Sequence, residues 1–156
     1  MKMLLTGGQQ RRRRGVSAGN RSWYKYREAR LLRVDTKTED IEVLLTYESP
    51  AEVTADEEPA VLFKQGYLAN DVLYLSTQTE ILILAYPSLE RLGYISLPSF
   101  HDVHHVRPTG TGTLLAVNTG LDQLLELTTD GDVVNRWHVL GGEPWGDRYS
   151  PDVDYR

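Results

Sequence analysis

The chain has 156 residues, no cysteine and a formal charge of −5. That length supports one ordinary domain with a core. The absence of cysteine excludes disulfides, thiolate zinc sites and thiol catalysis, and the acidic balance argues against general nucleic-acid binding, which needs a basic surface. No stretch approaches a membrane-spanning length and the opening apolar run is too short for a signal peptide, so a soluble, cytoplasmic protein with no nucleic-acid or membrane partner is expected.

In chain order, Lys2-Met3-Leu4-Leu5-Thr6-Gly7-Gly8 reads as a strand. A loop is expected from Gln9 to Trp23, carrying the cationic run Arg11-Arg12-Arg13-Arg14. Arg30–Asp35 and Ile41–Leu45 then form a hairpin. After a loop from Pro50 to Glu58, Ala60–Tyr67 is expected as a strand, turned by Asn70-Asp71 into Val72–Thr77. A second hairpin joins Ile81–Tyr86 to Arg91–Ile95 through Pro87-Ser88. His101–Pro108 is the next strand, turned at Thr109–Gly112 into Leu114–Gly120. A third hairpin joins Gln123–Thr128 to Val133–Trp137 through Asp130-Gly131, which is turn chemistry rather than a calcium loop. Alternation with β-branched and aromatic residues supports strands throughout, and no segment shows a helical period of useful length.

The three hairpins are one pattern repeated. Taking Val34, Leu84 and Leu127 as equivalent gives steps of 50 and 43 residues, close to the ~40–50 residue period of β-propeller blades. The fold expected is all-β: a partial β-propeller of about three four-stranded antiparallel blades, near residues 1–49, 58–98 and 100–140, the first lacking its innermost strand. Residues 141–156 read as a loop or tail leading towards a further blade. Three blades fall short of the usual four, and an open arc would leave apolar sheet faces uncovered. Closure is therefore expected from a missing C-terminal half or from a homodimer. The homodimer is the weaker expectation, because the tail looks unsuited to supply the absent innermost strand.

Leu4–Gln9, Tyr24–Arg30, Phe100–Val106 and Asn118–Asp122 together resemble the N-terminal half of a poorly characterised group of bacterial six-bladed propellers, loosely similar to arylsulfotransferase-like and NHL-like propellers. The resemblance covers essentially the whole chain. It implies that the sequence of such proteins continues past a segment like Asp152-Val153-Asp154-Tyr155-Arg156 into a strand with more histidines.

In a propeller the loops before each innermost strand and those after each second strand share one face. That rule collects the unusual residues of this chain: Arg11–Arg14, Asn118, Asp122, Trp145 and the cluster His101-Asp102-Val103-His104-His105. Loops held by a rigid scaffold are where binding residues concentrate. Arg11, Arg12, Arg13, Arg14, Asn118 and Trp145 are candidates for ligand binding, although a solvated loop would explain the arginines as well. His101, His104, His105 and Asp122 are candidates for proton transfer. Strict alternation would put His101 and His105 on one side of their strand, where they could hold a divalent transition metal with ligands from other blades. The competing explanation is that these imidazoles only hydrogen-bond neighbouring blades. Two functions follow: a module binding an anionic small molecule or protein partner on its loop-rich face, or a metal- or histidine-dependent enzyme, sulfotransferase-like or hydrolytic, completed by further blades. A lactonase-like hydrolysis has only Asn118 in its favour.

Overall fold

The computed structural model describes residues 1–10, 26–54, 60–139 and 150–156. Eleven strands run through them: β1 (Lys2–Gln10), β2 (Tyr26–Asp35), β3 (Ile41–Tyr47), β4 (Gln65–Ala69), β5 (Val72–Ser76), β6 (Ile81–Ala85), β7 (Arg91–Ile95), β8 (Val103–Pro108), β9 (Leu114–Asn118), β10 (Gln123–Leu127) and β11 (Val133–His138). They form three antiparallel sheets of consecutive strands, β1-β2-β3, β4-β5-β6-β7 and β8-β9-β10-β11. This is the blade plan of a propeller: each sheet is a meander of neighbours in sequence, and the first sheet has three strands where the others have four. The protein is a partial β-propeller.

The chain divides into two compact units, Met1–Phe63 and Lys64–Arg156. In the first, Ala29 and Leu31 are fully buried on one face of β2. The opposite face carries two cross-strand apolar rows, Met3–Val34–Ile41 and Leu5–Leu32–Val43. Met3, Leu5, Ile41 and Val43 in those rows are all exposed.

Two sequence expectations are corrected in this unit. Gln9 and Gln10 belong to β1 rather than to the following loop, because their pairing with Glu28 and Tyr26 prolongs the hairpin. Ala60–Phe63 is not part of the second blade's innermost strand, which begins at Gln65. The Phe63 amide instead donates to the carbonyl of Gly7 (2.9 Å) and that of Val61 to Tyr26 (3.2 Å). Apolar periodicity could not separate the two sites for this segment, since Val61 and Phe63 are buried where they lie. Glycine at position 8 makes the approach feasible, because a Cβ there would sit 2.7 Å from that of Leu62.

In the second unit, Ile81, Ile83 and Ile95 of one blade form a single core with Val103, Val106, Leu114, Ala116, Leu125 and Leu127 of the next, closed by Phe100. Tight turns set the registers. Asn70 and Asp71 both have positive φ (49° and 59°), the conformation a two-residue hairpin requires and which Asn and Asp tolerate. Asp130-Gly131 makes the expected turn between β10 and β11, with Gly131 at φ 99°.

Candidate functional site

The loops expected to share one face do so in the second unit, through backbone hydrogen bonds. Residues 77–80 join β5 to β6, and the Gln78 carbonyl accepts from the Val103 amide at the start of β8 (2.9 Å). A 3-10 turn, Thr119–Leu121, joins β9 to β10. Its Thr119 and Gly120 amides donate to the carbonyls of Asp102 (3.1 Å) and His101 (2.8 Å). The final segment adds to the same rim, since the Tyr155 amide donates to Pro98 O (2.7 Å).

Three side chains unforeseen in the sequence build this rim. Glu80 is fully buried; its Oε2 accepts from the Thr77 hydroxyl (2.9 Å) and its Oε1 from the Tyr94 hydroxyl (3.0 Å). Buried carboxylates survive only with such partners. Lys64 Nζ lies 2.7 Å from Asp102 Oδ1, with 8% of the lysine side chain exposed. Gln123, 1% exposed, accepts from Arg136 (2.8 Å) and Asn118 (3.3 Å) through Oε1, while its Nε2 has no partner among the described residues. The only sequence signal for these was the presence of polar residues inside apolar runs.

His101 is exposed on the rim. Its amide donates to Asn118 Oδ1 (2.8 Å), and its Nδ1 is 3.2 Å from the Tyr155 carbonyl. A carbonyl can only accept, so Nδ1 is the donor in this contact. The ring lies over Gly120, where a Cβ would come within 2.6 Å of the His101 carbonyl oxygen. Asp122 ends the same turn in a left-handed conformation (φ 50°), and its carbonyl accepts from the Val139 amide (2.9 Å).

Asn118 is buried rather than presented on the surface. Its Nδ2 donates to Ser99 O (2.8 Å) while its Oδ1 takes the His101 amide, so both ends of the amide fasten the approach to β8. Asp102 holds Lys64 from a positive-φ backbone (59°).

The alternation assumed for the histidines is broken. Val103 pairs with Asn118 but His105 pairs with Val117, which leaves His104 as the extra residue of a β-bulge. The strand begins at Val103, so His101 and Asp102 precede it. Val103 and Val106 both enter the core, while His104 is exposed and His105 half-buried. His105 instead starts a cross-strand row with Val117, Leu124 and Trp137. Burial, and then the charges of Arg107 and His104, hold its pKa below the ordinary value. Arg107 lies 4.7 Å over the Tyr67 ring.

The structure thus brings His101, Asp102, Asn118 and the Asp122 turn to one rim and gives His105 different surroundings. Among the described residues no three histidine, aspartate or glutamate side chains are grouped to hold a metal ion. Arg11, Arg12, Arg13, Arg14 and Trp145 lie outside the described residues.

No family model and no curated protein matches the chain. Solved structures with a similar chain path include the Pan2 WD40 domain of Neurospora crassa (13% identity, 72% of this chain and 35% of that one, TM-score 0.49). A protein of unknown function from Bacteroides caccae (13%, 85% and 39%, 0.45) and virginiamycin B lyase from Staphylococcus aureus (11%, 93% and 47%, 0.46) are others. The chain spans less than half the length of each. The propeller assignment rests on strand order and register, not on these likenesses. Among the described residues no helix is long and apolar enough to cross a membrane.

Proposed function

We propose that this chain is a propeller-type binding module whose loop-rich rim recognises an anionic ligand, a small molecule or an acidic segment of a protein. The observation that carries the reading is the mutual locking of the rim: three backbone hydrogen bonds tie residues 101–103 to the two turns at 77–80 and 119–122. A preformed rim lowers the ordering cost of binding. The polar side chains there also suit binding better than turnover. Asp102 is engaged by Lys64 rather than orienting an imidazole, Asn118 is spent on backbone, and His101 is exposed with its Nδ1 beside the Tyr155 carbonyl. The sequence alone nominates Arg11–Arg14 as the source of positive charge for an anion, and the lack of cysteine suits a reducing cytoplasm.

Titration with inorganic sulfate and with a short polyglutamate peptide, followed by calorimetry, tests this. Binding that weakens with salt and is lost when Arg11–Arg14 are replaced by serine is expected. Equal binding by the serine variant, or none by the native chain, would reject the reading.

A further inference from the structure

The bulge in β8 has a chemical consequence. Val103 and Val106 both enter the core, and strict alternation between core residues leaves room for one residue on the other face. Here there are two, His104 and His105, and both are kept out of the core. Arg107, directly after Val106, returns to the side of His105, since their partners on β9 are Leu115 and Val117. The bulge thus gathers three basic side chains between positions 104 and 107, on the strand that ends its sheet. His104 and Arg107 are exposed and His105 is half-buried.

The Arg107 guanidinium lies over the Tyr67 ring of β4, and its Nη2 donates to the Tyr67 hydroxyl (3.2 Å). That bond uses one of five N–H groups and steadies the planar fork. Among the described residues none of the three basic groups is paired with a carboxylate. Glu126 shares the face, but Leu115 stands between it and Arg107. Its oxygens already accept from Thr113 (2.7 Å) and Asn135 (2.6 Å). The three groups sense one another, since after burial it is Arg107 and His104 that lower the His105 pKa.

The geometry points to a second anion site, at His104, His105 and Arg107, that takes a tetrahedral oxyanion: free phosphate or the phosphate group of a monoester. Donors from three side chains suit an anion with more than two acceptor oxygens, whereas a carboxylate has only two. The arginine fork can hold two oxygens at once, and each protonated imidazole adds a charged donor. Beside the cluster, Val117 and Leu124 continue the cross-strand row from His105. They offer apolar surface to the organic part of an ester. The inference concerns a different set of residues from the rim and does not depend on Arg11–Arg14.

Titration with inorganic phosphate, followed through the imidazole NMR signals at constant ionic strength, tests the inference. The full chain with Arg11–Arg14 replaced by serine is used, so that binding at the rim is not read. The pH is held near about 5.5, where an imidazole of ordinary pKa is mostly protonated. The chain has four histidines, so His101 and His138 serve as internal references. Saturable movement of the His104 and His105 signals is expected, with a dissociation constant on the order of 1–10 mM. Arg107→Gln should weaken binding at least about fivefold, the loss of one charge-assisted contact. Because Arg107 is exposed, that variant should keep its circular dichroism spectrum. At about pH 8 imidazoles are neutral and the response should largely disappear, so calorimetry at that pH reads the rim alone. Phenyl phosphate binding more tightly than phosphate would assign the site to an ester; equal or weaker binding would assign it to the free ion. Signals that stay still, that move as much with acetate, or that respond equally in Arg107→Gln overturn the inference.

Discussion

Glycine 120 is the residue on which the rim turns. A methyl group there would collide with the His101 ring and lie 2.6 Å from its carbonyl oxygen, which the Gly120 amide must reach. Gly120→Ala should therefore cost about 1–3 kcal/mol, the usual range for overpacking. Gly7, with nothing within 4 Å of its would-be Cβ, is the matched control and should tolerate alanine with little change in urea midpoint. A Gly120→Ala variant as stable as native would mean that His101 does not sit on this turn. His105 gives a second residue-level expectation, in its pH dependence. Its pKa is held below the ordinary 6.5, chiefly by burial, so the unfolded chain takes up the proton first. Stability from this group is complete above pH 6.5 and declines as pH falls towards the depressed folded value. Melting temperatures followed from about pH 8 to pH 5 should fall less steeply in His105→Gln than in the native chain. Parallel curves would show that His105 is not the group responsible.

At the level of elements, strands and turns were legible where local chemistry decides and obscure where neighbours decide. Val72–Ser76, Arg91–Ile95 and Leu114–Asn118 are strands where alternation and turn residues placed them. The innermost strands were misjudged, each starting later than expected. Val103 and Val106 enter the core three residues apart, and that spacing of two apolar residues around His104-His105 is the signature of the bulge. Read as simple alternation, it merged His101 and His105 into one site. Asn118 was singled out as a candidate for ligand binding, but its partners, Ser99 O and the His101 amide, belong to a distant loop that no local pattern reveals. The same applies to the Lys64–Asp102 pair, 38 positions apart by residue number. That pair can be tested. Asn fits the positive φ of position 102, so Asp102→Asn removes the charge facing an ammonium that is 8% exposed while sparing the backbone. With the carboxylate 28% exposed and so partly screened, a loss of about 1–3 kcal/mol is expected, below the range for a fully buried pair. Lys64→Met combined with Asp102→Asn should recover part of it. If the losses in the two single variants simply add, the ion pair contributes nothing as a pair.

Across the whole molecule, the repeat disclosed the architecture because a blade is a local object: consecutive strands pair with consecutive strands, so a period in sequence becomes a period in space. It could not disclose how stability is shared, which depends on how much each blade buries. The second unit holds the continuous core that joins Ile81, Ile83 and Ile95 to Val103, Val106, Leu114, Ala116, Leu125 and Leu127. Among the described residues the first unit buries fewer apolar groups, namely Ala29, Leu31, Val53, Ala60, Val61 and Phe63. Local opening free energies should follow that difference. In native-state hydrogen exchange, amides of β6 and β10, which are paired on both edges, should be the slowest and should open with a steep denaturant dependence. Amides of β2, equally central in its own sheet, should exchange through an opening of lower free energy and shallower dependence, because less apolar surface is released. The outer strands β3, β7 and β11 should be the first to lose protection wherever their groups face solvent. Identical opening free energies and slopes for β2 and β10 would show that Met1–Phe63 and Lys64–Arg156 unfold as one cooperative body, and the division into a weaker and a stronger unit would then fail.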